Sequence, residues 1–183
     1  MLIQPTFIDD LYVMEPEVFT DERGFFYEFF NQNEFNKLTR QKVRFIQDNL
    51  ARSRKGVLRG LHFQKPPYEQ AKLVSVLQGA VLDVVVDLRQ KSKTFGQYFS
   101  ILLSAENKKQ LFIPRGMAHG YLSLEEDTLF FYKIDNEYHP QSEAGIRFDD
   151  SNLNIDWQYG LSQIILSEKD RTLPYLKDLK PFL

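Results

Sequence analysis

Short runs of Val, Ile, Leu, Phe and Tyr follow one another through the middle of the chain: "AKLVSVLQG", "AVLDVVVDL", "YFSILLS", "QLFIPRG" and "TLFFYKI". Each has the length and the β-branched or aromatic content of a strand. Turn signals separate them, at Gly79, at Gly96 and at Pro114 with Gly116. Upstream, "FIQDNLARS" and "VLRGLHFQKPP" read as strands too. In the first of these, period-two alternation turns Gln47 and Asn49 to one side and Asp48 to the other. In "AVLDVVVDL" acidic residues alternate imperfectly with valines, which predicts a strand with one wetter face. Helices are few. "NQNEFNKLT" predicts a short one starting near Asn31 or Asn33, and the tail from Ser167 carries a cap with acids in its first turn, "SEKD". Closely spaced strands without long helices between them predict an antiparallel sandwich or barrel rather than a doubly wound sheet. With a polar-lined interior, that is a mainly β jelly roll able to hold a small ligand.

Composition narrows the classes. The 183 residues fit one domain spanning 1–183, without repeat, low-complexity segment or linker. A hydrophobic fraction of 43% suffices for a sizeable core, so disorder is excluded. A net charge of -2 without a basic patch points away from nucleic acid and membrane surfaces. The absence of cysteine excludes disulfides, zinc–thiolate sites and a cysteine nucleophile. In "MLIQPTFIDDLYV" Pro5, Asp9 and Asp10 interrupt any signal-peptide pattern, and no apolar run approaches the ~20 residues of a membrane span. The expectation is a soluble cytoplasmic protein.

Several polar residues do not suit a core. Arg59, His62 and Gln64 sit in one apolar run and Lys72 in the next. A lone histidine in such a place is more often a hydrogen-bonded structural residue, and Arg59 and Lys72 could snorkel to water at strand edges. Their clustering on one hairpin favours function. Alternation alone would turn Gly60 and His62 to one face and Arg59 to the other, unless a bulge at Gly60 intervenes. "IPRGMAHGY" places His119 after a turn, and "FFYKIDNEYHPQSE" groups Tyr132, Lys133, Tyr138, His139 and Glu143. Near the start, "FTDERGFFYEFF" sets Arg23 before Gly24 and isolates Glu28 among aromatics, where burial would demand a partner. Asp170 by itself is an ordinary first-turn helix acid.

The stretches "DERGFFYE", "FIQDN", "VLRGLHFQ", "QAKLV", "IPRGMAHG", "FYKIDNEY" and "SEKD", in this order, resemble the nucleotide-sugar epimerases typified by dTDP-4-dehydrorhamnose 3,5-epimerase. The resemblance spans Phe19 to Asp170 and implies a cupin-type jelly-roll barrel, a homodimer and an active site inside the barrel. It implies a dTDP-linked 4-keto-6-deoxy sugar as substrate. Many cupins hold a metal through an H-x-H pair, but here Gly60 stands two before His62, so no such pair exists and a metal-free site is expected. No cofactor is expected either, because the ketone is itself the electron sink.

Carbons 3 and 5 of such a sugar flank the ketone, so their protons are acidic. Inversion takes a proton from one face and returns one to the other, which calls for two groups. Histidine, with an ordinary pKa near ~6.5, suits the base, and a tyrosine suits the acid. The resemblance assigns His62 as base, Asp170 as its carboxylate partner, Tyr132 as acid and Lys72 as the cation facing the enolate oxygen. It places Arg23 and Arg59 on the diphosphate, Tyr138 with Phe19 on the thymine, and Glu28, Gln47, Asn49, His119, Glu143 and Lys169 in substrate contact. Arg23 and Glu28 are the candidates for contribution from a partner subunit. Other readings are an epimerase acting at carbon 3 or carbon 5 alone, a non-catalytic sugar-binding cupin, and a metal-dependent cupin.

Overall fold

The computed structural model of the chain describes residues 1–179. In chain order it forms β1 (Leu2–Pro5), β2 (Tyr12–Glu15), β3 (Phe19–Asp21), β4 (Gly24–Phe26), α1 (Gln32–Thr39), β5 (Gln47–Ser53), β6 (Leu58–Gln64) and β7 (Lys72–Gln78). There follow β8 (Ala80–Asp87), β9 (Tyr98–Ser104), β10 (Gln110–Ile113), β11 (Met117–Ser123), β12 (Thr128–Ile134), β13 (Glu143–Gly145) and α2 (Glu168–Arg171). One sheet has the order β1-β2-β10-β7-β12-β5, a second the order β13-β6-β11-β8-β9, and β3 and β4 form a separate hairpin. The ladders are antiparallel throughout. This is the expected jelly roll. The elements that the apolar runs did not announce are the short ones, β1 to β4 and β13.

Three apolar clusters hold the layers. Between the sheets, Val74, Val76, Leu111, Ile113 and Phe130 of the six-stranded sheet meet Val81, Val85, Leu103 and Tyr121 of the five-stranded one. Outside the five-stranded sheet, Ile146, Phe148, Leu153, Trp157 and Ile164 cover Leu58, Leu61, Phe63, Leu82, Val84 and Val86. The Trp157 indole donates to the Phe148 carbonyl at 2.8 Å, so the buried ring leaves no polar atom unsatisfied. Outside the six-stranded sheet, Phe35 of α1 packs with Met14, Leu73 and Phe112. Asn31 is the N-cap of α1, its side chain accepting from the N–H groups of Asn33 and Glu34.

This layering corrects one expectation. All of β8 is buried, with no wetter face, because the C-terminal segment covers its outer side and the barrel interior takes the other. Asp83 and Asp87 are fully buried and therefore need partners. Asp87 accepts from Arg89, Ser92 and Thr94, and Asp83 faces His119.

The bulge anticipated at Gly60 is present. His119 of β11 pairs His62, and Tyr121 pairs Arg59, so two steps along β11 span three along β6. The extra residue resets the alternation. Leu58, Leu61 and Phe63 turn to the outer cluster, while Arg59 and His62 both turn into the barrel. Gly60 has φ 126°, and a Cβ there would stand 2.5 Å from Gly120 Cα, so the crossing admits only glycine.

Candidate active site

A cavity of about 690 Å³ opens between the sheets. Its walls include His62, Arg59 and Glu143 from the five-stranded sheet and Lys72, Tyr132, Gln47 and Asn49 from the other. Tyr138, Lys169 and Asp170 reach it from the segments that follow. Of the residues singled out in the sequence, Phe19, Arg23 and Glu28 do not line it. Phe19 is 58% exposed on the β3–β4 hairpin. Among the described residues Arg23 bonds only Asp21 beside it, and Glu28 is exposed and accepts from the Asn31 amide. The chain leaves β-structure after Phe26, so the alternation that would have buried Glu28 does not continue.

His62 Nε2 stands 2.5 Å from Asp170 Oδ1. Asp170 is 3% exposed. Burial alone would raise its carboxyl, but the His62 bond and charge, with the Ser167 side chain and the Gly60 backbone, hold it below the usual carboxylate range. Ser167 also caps α2 by accepting from the Asp170 N–H at 3.1 Å. Ile165 bridges Val57 in parallel and donates to Gly56, which fixes the segment leading into α2 beside β6. The first-turn acid that looked ordinary in the sequence is thus a buried partner of the histidine.

Across the cavity, desolvation pushes the Lys72 ammonium down to about 8, against the charges of Asp83 and Glu143. Desolvation raises the Tyr132 phenol; the Arg59 charge opposes this and Glu143 adds to it. Tyr132 is therefore firmly protonated at neutral pH. His119 Nε2 lies 2.9 Å from Asp83 Oδ2. Burial pushes His119 down despite Asp83, which keeps the imidazole neutral. The other oxygen of Asp83 is buried and has no hydrogen-bond partner among the described residues.

Polar groups also line the approach. Arg59 donates through Nε to Ser53 Oγ at 3.2 Å, and Ser53 contacts the Tyr121 hydroxyl at 3.1 Å. Gln47 donates to Asn49 Oδ1, and the Asn49 Nδ2 group is buried without a hydrogen-bond partner among the described residues. The Tyr138 hydroxyl donates to Glu143 at 2.7 Å, and Lys169 pairs the same carboxylate at 2.5 Å. Burial would raise Glu143, but Lys169 and Tyr138 hold it low. Gln64 was singled out for its setting but given no role, and Tyr121, Asp83 and Ser53 belong to this constellation without having been read as site residues. Only their odd setting hinted at it, an aspartate among valines and a tyrosine two residues past His119. Among the described residues no group of His, Asp and Glu is arranged to hold a metal ion, and no helix is long and apolar enough to cross a membrane.

A histidine held by a carboxylate faces a protonated tyrosine and a desolvated lysine from the opposite wall. That set can move a proton at carbon beside a carbonyl group. The comparisons agree with this chemistry. A family model described as dTDP-4-dehydrorhamnose 3,5-epimerase matches residues 5–178. The dTDP-4-dehydrorhamnose 3,5-epimerase of Escherichia coli (strain K12) is 51% identical over 174 residues, covering 95% of this chain and 94% of its own. The crystal structure of such an enzyme from Elizabethkingia anophelis NUHP1 superposes with TM-score 0.94 at 51% identity, over 97% of both chains. A dTDP-6-deoxy-D-glucose-3,5-epimerase from Legionella pneumophila Philadelphia 1, solved with dTDP-4-keto-L-rhamnose, gives TM-score 0.94 at 48% identity, over 98% of this chain and 94% of that one. The chain therefore belongs to the dTDP-4-dehydrorhamnose 3,5-epimerase family and is an isomerase.

Proposed function

We propose that this chain inverts carbons 3 and 5 of dTDP-4-dehydro-6-deoxy-glucose, giving dTDP-4-dehydro-L-rhamnose. His62 is the base and Tyr132 the acid. The observation that carries the reading is their opposition, since His62 lines the cavity from one sheet and Tyr132 from the other. His62 takes the proton from carbon, and the C–H electron pair moves into an enolate whose oxygen is the former ketone. Asp170 stabilises the imidazolium and fixes the ring orientation. Lys72 meets the developing oxyanion in a desolvated setting, where a charge acts more strongly than in water. Tyr132 then returns a proton to the opposite face.

The nucleotide end follows from the mouth of the cavity. Arg59 is the cation suited to the diphosphate, and Tyr138 offers a ring 54% exposed for the thymine. Asn49 lines the cavity with an amide nitrogen that has no hydrogen-bond partner among the described residues. The working unit in this reading is a homodimer, in which the β3–β4 hairpin of one chain completes the cavity of the next. Its support is the exposure of Phe19, Phe25 and Phe26, at 58%, 61% and 70%, beside an Arg23 that pairs Asp21 on the same hairpin and stands outside the cavity lining. Exposed aromatic surface of that kind is ordinarily covered by a partner.

Three outcomes test these assignments. In heavy water the product should carry deuterium at both carbons 3 and 5, read by NMR, and His62→Asn should lower incorporation at each by roughly 10²–10⁴-fold. Label at one carbon only would make the chain a mono-epimerase, and undiminished label in His62→Asn would remove the base. Lys72 acts as a cation, so its contribution is present below its pKa and lost above it. The ratio kcat/KM should therefore fall as pH rises through about 8. Lys72→Arg, charged throughout, should abolish that alkaline limb, and a limb unmoved in the variant would assign it to another group. Sedimentation of the purified chain should read two chains per particle, whereas a fully active monomer would take the hairpin out of the site.

A further inference from the structure

Gln64 lies two residues beyond His62 on β6 and is 6% exposed. Its amide is fully engaged with backbone. Nε2 donates to the Tyr68 carbonyl at 2.6 Å and to the Glu137 carbonyl at 3.0 Å. Oε1 accepts from the His139 N–H at 2.7 Å. These partners fix which end of the amide is nitrogen, and both donor hydrogens are used. Nothing on the donor side remains for a ligand.

Two of the three partners are the residues on either side of Tyr138. The Tyr138 ring itself is 54% exposed, so packing does not place it. Its hydroxyl bonds Glu143, and Glu143 is the direct ladder partner of Gln64 across β13 and β6. The backbone flanking the ring and the acceptor for its hydroxyl thus both register on Gln64. The third partner, Tyr68, stacks on His139 with ring centroids 3.9 Å apart, and His139 Nδ1 is 2.9 Å from Ser142 Oγ. One buried amide therefore joins the two mouth loops to the strand that bears the histidine.

We propose that Gln64 is a positioning residue for the Tyr138 platform, setting affinity for the nucleoside end of the substrate without touching substrate or reacting atoms. The proposal rests on the reading of Tyr138 as the surface on which the base stacks. A ring held in place before binding loses less freedom on binding than one on a loose loop, and the gain appears as affinity.

Calorimetric titration with dTDP and, separately, with inorganic pyrophosphate tests it. Gln64→Met removes all three bonds at similar volume. Gln64→Glu keeps the acceptor and loses both donors. Each should weaken dTDP about tenfold, as expected for lost buried hydrogen bonds. Pyrophosphate, which does not use the ring, should change by less than about twofold, and kcat should hold while KM rises. In a Tyr138→Ala background Gln64→Met should add no further loss for dTDP. Equal weakening of both probes, a fall in kcat with unchanged KM, or an undiminished Gln64 effect without the Tyr138 ring would overturn the proposal. Failure of both Gln64 variants to fold would do the same, by assigning the amide to the fold. If Tyr138→Ala alone left dTDP binding intact, the stacking reading would fall first, and the two failures are thereby told apart.

Discussion

Asp170 meets His62 across 108 residues of chain, and both the fold and the chemistry are organised around that contact. A carboxylate buried to 3% exposure is unfavourable unless it is bonded. The C-terminal segment brings it there by crossing the outer face of the five-stranded sheet, with Ile146, Phe148, Leu153 and Trp157 packed on β6, β8 and β11. Ile165 then joins Val57, and Ser167 starts the short helix that turns Asp170 inward. The apolar layer and the dyad are one construction. Loosening the layer would withdraw the carboxylate, and the imidazole would lose the partner that fixes its orientation.

The bulge at Gly60 is the second half of that construction. A regular strand could not show both Arg59 and His62 to one cavity. One extra residue in β6 lets it do so, with two glycines, Gly60 and Gly120, crossing where no Cβ fits. The opposite sheet needs no such device. Lys72 and Tyr132 already share the inward face with Val74 and Phe130 by plain alternation. Desolvation then divides the labour. It keeps Tyr132 protonated, brings Lys72 close to losing its charge and leaves His119 neutral beside the buried Asp83.

The sequence disclosed what depends on local order. Period-two runs marked most of the long strands, Asn31 and Ser167 marked helix starts, and Gln47 and Asn49 fell on one face as alternation requires. It misled at β8, whose aspartates looked solvent-facing but share the inward face with Val81 and Val85, where nothing local announces the partners that satisfy them. At Glu28 the alternation stops short, since strand pairing ends at Phe26 and the side chain stays exposed. Asp170 as partner of His62 came from resemblance, because the contact is tertiary and "SEKD" reads equally well as a helix start. The roles of Ser53, Gln64 and Asp83 were hidden in the choice of partners among buried polar atoms, which only the packed barrel decides.

The central claim is that two groups on opposite walls handle the two faces of the sugar, and Tyr132→Phe tests it most directly. That change deletes one hydroxyl and leaves the ring and His62 in place. In heavy water the variant should still exchange the protons at carbons 3 and 5 from the His62 side, with retained configuration, because abstraction survives. Inversion should fail, because nothing reprotonates the far face. Recovered substrate carrying deuterium with unchanged configuration, read by NMR, is the predicted result. Full epimerisation by the variant, or exchange and inversion lost in equal measure, would contradict it.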